Sequence, residues 1–186
     1  MKNLIAIYSP VMGCGKSTAA QFLSFAYDFV PVGFAQPIKA MTRALLQSAG
    51  VEEEEVNAYL AGHLKEKPVP FAPVTCRMIM QTLGTEWGRQ TIHEEIWVET
   101  LIERVDALLA GGDSVVIDDM RFPNEYEALA EYGATFVRID RPSAHNREPH
   151  ESEGGLEDCR FHHEITNDGS VEDLYGKINR ILMEDI

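Results

Sequence analysis

The chain opens on five consecutive apolar residues, Leu4-Ile5-Ala6-Ile7-Tyr8. A short apolar run without alternation, followed by glycines, predicts a strand buried on both faces. The period then changes: Ala19, Phe22, Leu23 and Ala26 recur at helical spacing, so a helix follows directly. A second strand is expected over Val30 to Phe34. A helix runs from Pro37 to Ser48, with proline in its first turn and Gly50 as its stop. Glu52-Glu53-Glu54-Glu55 opens a short exposed helix, since carboxylates suit the positive end of a helix dipole; a solvated face explains this run better than a metal site. Lys65 to Pro73, with three prolines, reads as a loop.

Thr75 is placed to cap a helix carrying Arg77, Met78, Met80, Gln81 and Leu83. Val98, Leu101, Ile102, Val105, Leu108 and Leu109 trace an amphipathic helix that Gly111-Gly112 stops. Ser114 to Asp118 predicts a buried strand ending in an acid. A helix from Asn124 to Tyr132 stops at Gly133, Thr135 to Asp140 is a further strand, and Ile165-Thr166-Asn167 a short last one. Ser170 with Asp173 three residues on is a capping-box variant. It opens a helix striped by Val171, Leu174, Tyr175, Ile178 and Ile181. Strands alternating with helices imply an α/β fold with a mainly parallel sheet, whose ligand sits outside the carboxyl ends of the strands.

Composition narrows the class. The chain has 186 residues, 45% of them hydrophobic, which is enough for one well-filled domain. No apolar run approaches the roughly 20 residues of a membrane span. Met1-Lys2-Asn3 leads straight into the first strand, so no signal peptide and a cytoplasmic location are expected. Cys14, Cys76 and Cys159 are odd in number and far apart, which fits reduced thiols rather than a disulfide frame. A net charge of −14 opposes a nucleic-acid surface but not a small anion held by a few arginines. His145, His150, His162 and His163 lack metal-ligand spacing.

Between the first strand and first helix lies Ser9-Pro10-Val11-Met12-Gly13-Cys14-Gly15-Lys16-Ser17-Thr18, which reads as a phosphate-binding loop. Backbone N–H groups of such a turn converge on a phosphate at a helix start. Lys16 brings a mobile charge to the β- and γ-phosphates, and Ser17 offers a hydroxyl to Mg²⁺. Pro10 stands where the usual pattern has its first glycine. The second half of such a machine is an acid at the end of another buried strand. Asp118 and Asp119 supply it, with Asp118 favoured for the metal side over a simple turn-capping role.

Phe34-Ala35-Gln36-Pro37-Ile38-Lys39, Leu83-Gly84-Thr85-Glu86-Trp87-Gly88-Arg89, Asp118 to Glu125, His150-Glu151-Ser152-Glu153 and Asn167-Asp168-Gly169-Ser170 occur in that order. Together they resemble the deoxynucleoside monophosphate kinases of bacteriophage type, over nearly the whole chain. The resemblance implies a P-loop nucleoside monophosphate kinase-like fold: a five-stranded parallel sheet flanked by helices, with a lid segment over 142–162. It implies one domain over 1–186, with 36–96 as the helical region that binds the acceptor nucleotide. The implied reaction moves the γ-phosphate of ATP, with Mg²⁺, to a deoxynucleoside 5′-monophosphate. An acceptor phosphate with a second pKa of about 6 is already mostly deprotonated at pH 7, so no general base is needed. Positioning and charge neutralisation remain.

In that frame Gly13, Cys14, Gly15, Lys16, Ser17 and Thr18 hold the ATP phosphates, and Asn167 and Asp168 lie near its adenine, with a plain turn and helix start as the alternative. Ser17 and Asp118 flank the metal. Lys39, Arg43, Arg77, Arg89 and Arg121 are candidates for the acceptor phosphate, because the guanidinium fork matches phosphate; for Arg43 a surface ion pair is an equal reading. Phe34, Gln81 and Trp87 are candidates for the base, against core packing for any single aromatic. Trp97, beside Val98, suits a helix start. Lys16, Arg121, Arg141 and Arg147 form the catalytic set, with Arg141 and Arg147 carried by the lid to the transferring phosphate. The partners expected are ATP and the monophosphate, with no nucleic acid or membrane and a homodimer left open. A P-loop kinase with another phosphorylated acceptor, or an ATP-binding regulatory or packaging protein, are the competing readings.

Overall fold

The computed structural model describes residues 3–144 and 155–185. Five parallel strands form one sheet in the order β2-β3-β1-β4-β5. They are β1 (Leu4–Tyr8), β2 (Val30–Val32), β3 (Val115–Ile117), β4 (Thr135–Asp140) and β5 (His163–Thr166). β1 is central: Ile5 pairs with Val116 of β3 on one side and Thr135 of β4 on the other. All five of its residues are buried, the physical sense of its unbroken apolar run. β2 and β3 stop short of the expected strands, because Gly33-Phe34 and Asp118-Asp119 leave the ladder to form the edge where chemistry belongs. The last strand begins two residues earlier than expected, at His163.

The helices are α1 (Lys16–Tyr27), α2 (Gln36–Ser48), α3 (Glu53–Ala61), α4 (Cys76–Thr82), α5 (Ile96–Gly111), α6 (Pro123–Glu131) and α7 (Val171–Asp185). The chain divides into two compact units. The first comprises 1–33 and 100–186, and the second is Phe34–Glu99.

In the first unit, Ile5, Ile7, Val116, Val137, Ile139 and Ile165 of the sheet pack with Ala19, Ala20 and Leu23 of α1 and Leu174, Ile178 and Ile181 of α7. Burying side chains of this size contributes about 1.5–3 kcal/mol each, and it clamps both helices to one sheet face. The Ser170–Asp173 capping box is present, with reciprocal bonds of 2.9 and 3.2 Å. In the second unit, Leu46, Val51, Val56, Tyr59, Leu60, Val69 and Cys76 form a separate core. The proline-rich loop is tied off inside this core: Pro68 bridges Thr75, and the Val69 N–H donates to the Val74 carbonyl at 2.9 Å. Thr75 caps α4 by accepting from Met78 N–H at 3.1 Å.

The helix after that cap is not one α-helix. It ends at Thr82, and Leu83–Ile92 is π-helical. The His93 N–H accordingly reaches the Gly88 carbonyl five residues back, at 3.0 Å. Periodicity of apolar positions cannot register this widening, since Gly84 and Gly88 leave too few side chains to trace.

Within 142–162, Pro142–Ala144 is one 3₁₀ turn, and residues 155–162 make contacts within the first unit. Leu156 is fully buried. Phe161 stacks on Tyr8 at 5.3 Å, and the Tyr126 hydroxyl donates to the Arg160 carbonyl at 2.6 Å. His162 is laced to Phe136 in both directions at 2.9 Å. Arg147 and His150 to Glu153 lie outside the described residues.

Candidate functional site

The loop between β1 and α1 is built for close backbone turns. Gly13 and Gly15 sit at φ +83° and +103°, a region costly for side chains with a Cβ. Gly15 has a second reason to be glycine: a Cβ there would lie 2.7 Å from Asn167 Nδ2. α1 starts at Lys16 with no acid in its first turn and no side-chain cap, so its N-terminal dipole suits an anion. Ser17 is exposed and Thr18 half-buried. Pro10 contributes no N–H, and Ser9 stiffens this end of the loop by donating its hydroxyl to the Val11 carbonyl at 2.6 Å.

Two of the residues read as ATP-binding, Cys14 and Asn167, brace the loop. Cys14 is fully buried and packs in the core with α1 and α7; its carbonyl accepts from Asn167 Nδ2 at 2.8 Å. Asn167 is 6% exposed, and its own N–H donates to the Asp140 carbonyl at 2.6 Å. Asn167 thus braces the phosphate loop with its side-chain amide while its backbone bonds the end of β4. Asp168 is exposed and pairs with Lys177 at 3.1 Å; that hydrogen bond holds its carboxyl below the usual range.

Both acids follow the end of β3 at Ile117. Asp119 lies over Gly33, where a Cβ would come within 2.6 Å of its Oδ2. Sequence alone could not separate these neighbours.

Arg121 is exposed, and its backbone is pinned by a residue the sequence reading did not single out. Glu125 is 2% exposed, and its carboxylate accepts from the N–H groups of Arg121 at 2.7 Å and Phe122 at 3.2 Å. Two backbone donors offset the cost of burying this charge. The spacing Phe122-x-x-Glu125, half of a capping box, was the available signal. The fixed part of the 142–162 segment closes on the same turn: a Cβ on Gly155 would lie 2.8 Å from the Arg121 carbonyl. Arg141 follows β4 directly and is half-buried.

In the second unit, Lys39 and Arg43 line a groove of about 410 Å³ together with Gln36, Gln47 and Asn57. Arg43 pairs with Glu53 and bonds Asn57 at 2.7 Å. Arg77 pairs with Glu66. Such half-exposed pairs are worth about 0–1 kcal/mol each, so a phosphate dianion competes for either arginine. Arg89 donates to the Glu94 carbonyl at 3.3 Å. Gln81 is exposed and Trp87 is 40% exposed. Phe34, read as a base-stacking candidate, is 4% exposed and belongs to the core. Among the described residues no three His, Cys, Asp or Glu side chains gather as a metal cluster.

Residues 63–178 match the model of a family described as deoxynucleotide monophosphate kinase. A protein of Acanthamoeba polyphaga mimivirus, provisionally named a deoxynucleotide monophosphate kinase, is 28% identical over 182 residues, 89% of each chain. The deoxynucleotide monophosphate kinase of Enterobacteria phage T4 is 33% identical over 107 residues, which cover 57% of this chain and 44% of that one. Among solved structures, dephospho-CoA kinase from Campylobacter jejuni superposes with a TM-score of 0.53 at 15% identity, over 98% of this chain and 97% of that one. A sugar kinase from Janibacter sp. gives 0.51 at 16%, over 98% and 94%. These last two show a shared P-loop kinase fold.

Proposed function

The chain belongs to the deoxynucleotide monophosphate kinase family, and from that premise we propose that it transfers the γ-phosphate of ATP to a deoxynucleoside 5′-monophosphate through the residues named above. The observation that carries the reading is the loop Gly13–Thr18: two left-handed glycines and an uncapped α1 N-terminus, held in shape by Asn167.

The loop N–H groups and Lys16 bind the β- and γ-phosphates. The residues that would hold Mg²⁺ are the exposed Ser17, through its hydroxyl, and Asp118 just after β3, through its carboxylate; hard oxygens of this kind fit the ion. The positive charge it would supply there offsets that of the phosphates. The second unit supplies the acceptor side, with Arg77, Arg89 and Lys39 for the phosphate and Trp87 and Gln81 for the base. Arg121, on a turn fixed by Glu125, and Arg141 provide charge for the transferring group. Asp119 holds the β2–β3 edge against Gly33.

Other proposals follow the same logic. No helix among the described residues is long and apolar enough to cross a membrane, which supports a cytoplasmic site of action. The acidic charge supports nucleotides rather than nucleic acid as partners.

A coupled assay of ADP release with ATP, Mg²⁺ and each natural and modified deoxynucleoside monophosphate tests the reading. Turnover on at least one deoxynucleotide, exceeding that on its ribo counterpart, is the expected result. ADP release that no monophosphate stimulates refutes it.

A further inference from the structure

A ten-residue π-helix needs an external reason to exist. Its backbone packing is poorer than that of an α-helix, and π turns are usually single bulges near functional sites. Here Leu83–Ile92 holds the widened form over its whole length, and three contacts explain how. The Trp97 indole N–H donates to the Gly84 carbonyl at 2.7 Å. The indole ring presses so closely on Gly88 that a Cβ there would lie 2.4 Å from Trp97 Cζ2. The Thr91 hydroxyl donates to the Glu86 carbonyl, five residues back, at 2.6 Å. Trp97 itself is 4% exposed, in the first turn of α5. Its partner ring, Trp87, stands 6.3 Å away and tilted by 39°, with 40% of its surface open.

One tryptophan is therefore a buried support and the other is carried on the segment it supports. We infer that Trp97 is a positioning residue for acceptor recognition: by bonding Gly84 and filling the space over Gly88 it holds the π-helical form that sets Trp87 and Arg89 where the monophosphate meets them. The inference rests on the proposed acceptor role of Trp87 and Arg89. In an α-helical backbone each residue beyond Gly84 would be rotated about the axis relative to its present position, because the hydrogen bonds would close one residue earlier. Trp87 and Arg89 would then point elsewhere with no change in their chemistry. The glycine at 88 is explained by the same device, since only a residue without a Cβ admits the indole so near the backbone.

The test uses the full chain and steady-state kinetics with ATP and the preferred deoxynucleoside monophosphate. Trp97→Phe keeps an apolar ring and removes the N–H. Thr91→Val removes the second side-chain bond at an exposed position, where loss of folding is not at issue. Each variant is expected to raise the acceptor KM about fivefold, the weight of one hydrogen bond, while the ATP KM stays within about twofold. An acceptor KM unchanged in Thr91→Val and in any folded Trp97→Phe protein overturns the inference. So does a parallel rise in both KM values, which marks a general loss of structure. Wild-type turnover on deoxynucleotides, measured beside them, tests the underlying reading separately.

Discussion

Asn167 Nδ2 donates to the carbonyl of Cys14 across 153 residues of sequence, at 2.8 Å, and this bond joins the end of the last strand to the phosphate loop. The loop's conformation is thus held from outside as well as by its own glycines. Asn167→Leu leaves a buried carbonyl without its donor, and should cost about 1–3 kcal/mol of stability. It should raise the KM for ATP more than that for the acceptor. Thermal unfolding together with both KM values checks this; an ATP KM equal to wild type removes Asn167 from the loop's support.

Lys16→Ala should leave the melting temperature near that of wild type, because the residue is a partly exposed lysine at the start of a helix. Turnover should drop by about a hundredfold or more, the scale of removing one preorganised charge from a transition state. A purified variant with normal kcat would sink the phosphate-loop assignment.

The two acids after β3 should behave differently. Asp118→Asn is expected to shift the magnesium dependence of the rate to higher concentration. Asp119→Asn should leave that dependence unchanged and act on stability through the contact with Gly33. Titrating the rate with Mg²⁺ decides between them, and a reversed pattern would exchange the roles.

Glu125→Ala removes the acceptor for the Arg121 and Phe122 N–H groups. A loss of about 2 kcal/mol in chemical denaturation is expected. A fall in kcat should accompany it, since Arg121 loses its fixed turn. Stability loss with untouched kcat would separate Glu125 from the chemistry.

Asp173 gives a pH signature. Its carboxylate accepts from the Ser170 backbone and hydroxyl, which hold its pKa below the ordinary range. A group depressed in the folded state stabilises above its unfolded pKa, and that stabilisation is lost as pH falls through the folded value. Asp173→Ala should therefore melt lower than wild type at pH 7, with the gap closing below about pH 4. A gap independent of pH would show that the cap's charge contributes nothing.

Much of the architecture follows from the chain's own periodicity. The unbroken apolar run of β1, the helical stripes of α1, α5 and α7, and the Ser170–Asp173 cap are local patterns. Their physical meaning does not depend on distant residues. The phosphate loop was legible for the same reason, since Gly13, Gly15, Lys16 and Ser17 act through one turn of backbone. Tertiary structure decided what depends on contacts across the chain. Asn167 became a brace because β5 ends beside the loop. Phe34 went to the core, and Asp119 was set apart from Asp118 by its approach to Gly33. Leu156 is buried and the Phe161 ring meets Tyr8 and Tyr126, contacts that no local pattern foretells. The π-helix was the furthest from reach. It exists because an indole thirteen residues on from Gly84 takes that carbonyl and the space over Gly88, and no repeat of apolar positions records where a single ring will lie.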